Sequence, residues 1–147
     1  DLVNERGIGA TWFHEHGHLI DMAAGNISDN QEFKKLINAD VNNYRIMYGK
    51  KSNLKTYEEI DKAIGMEIQD MRKHSAVSDL LDGATKGSIN GCAGHSIDYW
   101  KYEKSITLEA FAHMYEAQFD KIRYEEMRKY FPRSLEYFEK MIKEASK

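Results

Sequence analysis

Along most of the chain, apolar and polar positions alternate with the period of an α-helix. A first helix is predicted over residues 9–24, ended by Gly25-Asn26. Ser28 with Gln31 forms a capping-box pattern that opens a second helix, running to about Tyr48 and closed by Gly49. Thr56 with Glu59 repeats the signal and opens a third, to about His74, in which Gly65 is a weak point costing about 1 kcal/mol relative to alanine. A short helical stretch is predicted around Val77 to Leu81. The glycine-rich "DGATKGSINGCAGHS", residues 82–96, reads as a loop with room for a brief hairpin, and loops of that length in compact domains are usually functional or disordered. Helical spacing returns from Ser105 through Leu108, Phe111, Ala112, Tyr115 and Phe119, with a break near Arg123. Pro132 suits the first turn of a last helix striped by Leu135, Phe138, Met141 and Ile142. The aromatic and methionine stripes read as core. The fold class that follows is mainly α, with about five helices and few or no strands.

Length and composition narrow the function classes. The 147 residues fit one domain, 1–147, with a single core. A formal net charge of −3 gives no electrostatic reason to expect nucleic acid as a partner. No apolar run approaches the roughly 20 residues of a membrane span. Cys92 is the only cysteine, so no internal disulfide marks the chain for an oxidising compartment, and the thiol reads as inert. The sequence starts at Asp1 without an initiator methionine or a signal-like segment, which reads as part of a longer protein.

Three of the six histidines fall within five positions, in "TWFHEHGHLID", residues 11–21. His14-Glu15-His16-Gly17-His18 satisfies H-E-x-x-H. On a helix, positions 14 and 18 lie one turn apart on one face, so two imidazoles can converge on one Zn²⁺. Glu15 stands beside the first ligand, placed to take a proton from a metal-activated water without binding metal itself. Gly17 would let another segment approach closely, and His16 points away from the 14/18 face. A bare motif can equally be a histidine-rich surface turn, so the remaining ligand decides.

The candidate is Glu109 in "SITLEAFAHMYEAQF", residues 105–119. It lies among Leu108, Phe111 and Ala112, where an unpaired carboxylate would be expensive and an opposing cation would remove the cost. His113, one turn on, is a rival ligand or a partner that orients one. Seven residues before Glu109 stands Tyr102, whose phenol could donate to an oxyanion; taken alone it reads as an amphipathic surface tyrosine.

Taken together, His14, Glu15 and His18, then Tyr102, then Glu109 in an E-x-F-A context, resemble the gluzincin metalloproteases of the lethal-factor and proline-specific endopeptidase type. The resemblance covers about a fifth of the chain. It implies a helical zincin-like domain, with zinc held by His14, His18 and Glu109. It also implies Glu15 as general base, Tyr102 as oxyanion stabiliser or proton donor, and a peptide or protein as substrate. Asp21 resembles an acidic position that follows the motif in some members. Two departures stand out: two whole helices lie between His18 and Glu109, and only about eight residues precede the motif helix, where such proteases carry a β-sheet. Residues 78–100, leading into "LEAFAHMYE", look more loosely like the C-terminal metallopeptidase-like region of bacteriophage minor head proteins, which would place the chain in a virion or cytoplasm among other segments of a larger parent.

The expectation is a zinc-dependent endopeptidase. Its rival is a catalytically silent, zinc-stabilised interaction module, in which a fourth protein ligand such as His113 closes the metal. His95 reads as a structural histidine within its glycine-rich loop, with a cleft-lining role as the alternative. His74 reads as the C-terminal residue of a helix, where positive charge is favourable.

Overall fold

The computed structural model describes residues 6, 7 and 9–147. Among these are eight helices and no strand, so the mainly α class holds. They are α1 (Ala10–Ala23), α2 (Gln31–Ser52), α3 (Tyr57–Glu67), α4 (Met71–Thr85), α5 (Ile97–Trp100), α6 (Ser105–Ala117), α7 (Lys121–Tyr130) and α8 (Pro132–Ala145). None is long and apolar enough to cross a membrane.

Helices α4 and α6 form the centre. Every residue of α4 from His74 to Gly83 is buried, as are eleven of α6. The core around them is built from Phe33 and Ile37 of α2, Ile60 and Ile64 of α3, Met127 and Tyr130 of α7, and Leu135 and Phe138 of α8. Helix α1 lies against α6 at the edge of this core and leaves Trp12, Leu19 and Met22 exposed.

Where the boundaries differ from the sequence reading, a specific contact accounts for it. The helix expected over 56–74 is two: α3 ends at Glu67, and Asp70 caps α4 by accepting from the Lys73 N–H at 3.2 Å. Ile60, Ile64 and Ile68 keep their helical spacing straight through the break, which hides it. His74 therefore sits in the first turn of α4, not at a helix C-terminus, with Nε2 3.2 Å from Glu126. The predicted loop 82–96 loses its first four residues to α4. Gly83 belongs in that helix because the Trp100 ring fills the place of its side chain, at 2.7 Å from an ideal Cβ, while the indole N–H donates to Asp82 at 2.8 Å. Asn30 rather than Ser28 caps α2, and α2 continues past Gly49 to Ser52. The break after α6 falls at Gln118–Asp120, with Asp120 capping α7, so Arg123 lies inside a helix.

Arg123 is 1% exposed and ties three segments together. Its guanidinium donates to the Arg6 carbonyl at 2.6 Å, the Met71 carbonyl at 3.2 Å and the Ser75 hydroxyl at 2.6 Å. That anchors the start of the described chain beneath α1, next to the histidine cluster.

Candidate metal centre

Helix α1 starts at Gly9, whose φ of 75° turns the chain into the first turn without a side-chain cap. At its other end Asp21 is buried and accepts from the Ser28 N–H at 2.9 Å and the Ser28 hydroxyl at 2.5 Å. The acidic residue three positions after His18 thus fastens the exit of the motif helix. Between these ends, Gly17 faces α6. An ideal Cβ there would lie 3.0 Å from Ala112 Cα and from Tyr115 Cβ, and 3.2 Å from the Ala112 carbonyl oxygen. Backbone cannot yield as a flexible side chain can, so Gly17→Ala should push α1 off α6. The expected loss is about 1–3 kcal/mol in a urea unfolding measurement, and unchanged stability would show that α1 can shift.

This close approach carries the α1 histidines to the carboxylate on α6. His14 Nε2 lies 3.1 Å from Glu109 Oε1, although the residues are 95 apart in sequence. His18 Nε2 lies 3.2 Å from His14 Nε2 and 3.4 Å from Glu109 Oε2. Three donors on one tetrahedral Zn²⁺, with bonds near 2.0–2.1 Å, stand about 3.3 Å from each other. The observed separations lie close to that value, although His14 and His18 face different oxygens of the carboxylate. Two imidazole nitrogens 3.2 Å apart stand beside one carboxylate, an arrangement in which a cation at the centre would meet all three groups.

The surroundings orient these donors. His14 Nδ1 is buried without a hydrogen bond and faces Glu116 Oε1 at 3.5 Å, which favours the proton on Nδ1 and leaves Nε2 free to ligate. Glu116 is held by Arg6 through bonds of 2.8 and 2.9 Å. The Tyr99 hydroxyl donates to Glu109 Oε2 at 2.6 Å. Burial works against a charge on Glu109, but hydrogen bonds to His14 and His18, the nearby charge of His113 and the Tyr99 hydroxyl outweigh it and hold the carboxyl well below the usual range.

His113 is not positioned as a ligand. A second donor set, His14, Glu109 and His113, does have atoms within 4.8 Å of one another. However, His113 Nδ1 is 2.5 Å from Glu116 and Nε2 is 2.8 Å from Asp79, so both ring nitrogens are engaged. Burial disfavours its charge, yet the hydrogen bonds and charges of the two carboxylates prevail and raise its pKa to about 9. It is an imidazolium strut between α4 and α6. A third set, Asp79, His95 and Glu109, also has atoms within 4.8 Å of one another, with His95 Nδ1 2.7 Å from Asp79 Oδ1.

Glu15 is exposed and borders a cleft of about 540 Å³ that also touches His18, Leu19, Met22, Tyr99 and Glu109. His16 points elsewhere, stacked on Trp12 at 5.0 Å. Tyr102 does not join the cluster. It is 59% exposed, and among the described residues no hydrogen bond links its hydroxyl to a site group. Tyr102 lies in the turn segment 101–104 that precedes α6, which begins at Ser105 as the periodicity predicts. The tyrosine that reaches Glu109 is Tyr99, on the one-turn helix α5. Burial and the adjacent Glu109 both raise its pKa, so the hydroxyl keeps its proton. Cys92 is half-buried, and burial pushes its thiol up, consistent with an inert group.

Sequence reasoning passed over Asp79 and Glu116, and met Tyr99 only as a neighbour of His95. Glu116 had a signal: with Glu109 and His113 it makes the i, i+4, i+7 pattern of one α6 face. Asp79 follows Ser78 in a mixed stretch, and no spacing rule connects it to the motif. Against known proteins, the chain matches no family model, no curated protein and no solved structure.

Proposed function

We propose that this chain is a zinc-dependent metallopeptidase domain in which His14, His18 and Glu109 hold the metal. The observation that carries this reading is the convergence of His14 and His18 of α1 on the Glu109 carboxylate of α6, at 3.1 Å to Oε1 and 3.4 Å to Oε2 with 3.2 Å between the imidazole nitrogens, beside a cleft. Bound there, Zn²⁺ would supply Lewis-acid polarisation of a carbonyl and lower the pKa of a nearby water. Glu15, one residue from a ligand yet exposed in the cleft, takes the proton of the attacking water and passes it to the leaving amine. Glu116 and Tyr99 orient His14 and Glu109.

The rival reading, a silent metal-stabilised module, needs a fourth protein ligand. His113 was its candidate, and both its nitrogens are committed elsewhere. A side of the cluster facing the cleft is what an enzyme requires. The test is a degenerate library of quenched-fluorescent peptides incubated with the zinc-loaded chain. Cleavage that stops with chelator and returns with zinc is expected; cleavage indifferent to chelator, or none, would refute the reading.

A further inference from the structure

We propose that the substrate is an extended polypeptide of about eight residues or more, bound along one face of α1 and on past Asn26 into a groove against α8. The inference rests on the metallopeptidase reading and names the substrate class of that site.

The cleft at the metal centre follows a helix face. Glu15, His18, Leu19 and Met22 of α1 line it, and Asn26 continues the lining just beyond the helix. The four helical positions are spaced i, i+3, i+4 and i+7, so they form one stripe. Leu19 and Met22 are exposed there. An apolar strip open to water inside a cleft marks a surface for binding.

The path does not end with α1. Asn26 also lines a groove of about 600 Å³ between the α1–α2 turn and α8, together with Ile27, Tyr137, Met141 and Ala145. The two depressions therefore meet at Asn26. Tyr137 gives the groove a fixed wall, because its hydroxyl donates to Asn30 Oδ1 at 3.3 Å and its ring stacks with Phe33 at 6.2 Å. Asp29 at the rim is paired with Lys104 at 3.0 Å, and Lys140 and Glu144 oppose each other in sign. No charge dominates, so Ile27, Tyr137 and Met141 suit an apolar side chain of the substrate.

Asn26 stands at the junction in a set orientation. Its φ is 59°, its N–H donates to the Asp21 carbonyl at 2.8 Å, and its carbonyl accepts from the Asp29 N–H at 3.0 Å. Its side-chain amide is exposed and has no hydrogen bond among the described residues. An amide offers a donor and an acceptor, the pair that a sheet edge presents to a peptide backbone. Among the described residues there is no strand to present it. From Glu15 to Asn26 the cleft follows roughly 16 Å of chain, and Tyr137 to Ala145 adds roughly 12 Å. An extended peptide covers about 3.4 Å per residue, which gives the length proposed.

The test compares degenerate quenched-fluorescent peptides of two lengths, about four and about twelve residues, on the full zinc-loaded chain. The longer set should have a kcat/KM about 30-fold or more above the shorter. Ala145→Trp, which plugs the groove from an exposed helix position, should cut that ratio about tenfold or more, chiefly through KM. Asn26→Gly, which permits the same backbone without the amide, should lower the ratio in the same direction and serves alone should tryptophan disturb folding. Equal kcat/KM for the two lengths, or a wild-type ratio in the folded variants, would overturn the groove assignment and leave the metal centre standing. Cleavage of neither length would overturn the metallopeptidase reading. Anisotropy of the fluorescein-labelled longer set on metal-free chain then judges the groove by itself: binding weakened by the variants upholds a polypeptide site, and no binding, or binding they do not change, overturns it.

Discussion

Glu15→Gln should stop peptide hydrolysis, by about 10²–10⁴-fold, while the chain keeps its zinc. The change preserves shape and hydrogen-bonding length but removes the basic oxygen. Glu15 is exposed in the cleft and outside the donor triangle, so neither folding nor metal affinity has a reason to move. Steady-state cleavage of a library-derived peptide, measured beside zinc content on the same preparation, checks both halves. Hydrolysis at the wild-type rate would remove Glu15 from the chemistry; loss of zinc would place it among the ligands.

Glu109→Ala should have the opposite signature. The carboxylate is buried and faces both imidazoles at 3.1 and 3.4 Å. Structural zinc sites with four ligands bind with about 10–16 kcal/mol, so one ligand carries on the order of 3–4 kcal/mol, or about 100- to 1,000-fold in affinity. The substitution also leaves the Tyr99 hydroxyl without its acceptor, which should cost the metal-free fold about 1–3 kcal/mol. Competition with a chromophoric chelator reads the first effect and urea unfolding of metal-free protein the second. Wild-type zinc affinity in Glu109→Ala would reject the ligand assignment.

The pairing of α1 with α6 was legible because it rests on rules of one face and one turn. His14 and His18 are four apart on one helix, and Glu109 is an otherwise costly carboxylate in an apolar stripe. Caps were legible where they are local: Thr56 and Glu59 form the predicted N-terminus of α3, with the Thr56 hydroxyl 3.2 Å from the Glu59 N–H and 2.8 Å from its carboxylate. What could not be read depends on tertiary contacts. Residues 82–85 look like loop because of Gly83, yet that glycine is helical under Trp100. The Tyr102 role came from a family offset and not from a helical face, and residue 102 lies in the turns before Ser105. Asp79, which bridges His95 and His113, is brought to the site by packing alone.

Zinc content per chain, measured by elemental analysis after dialysis against buffered zinc, tests the centre most directly. One equivalent, removable by chelator and restored on re-addition, is the expected value. A chain that retains no zinc under those conditions would contradict a metal centre built from His14, His18 and Glu109.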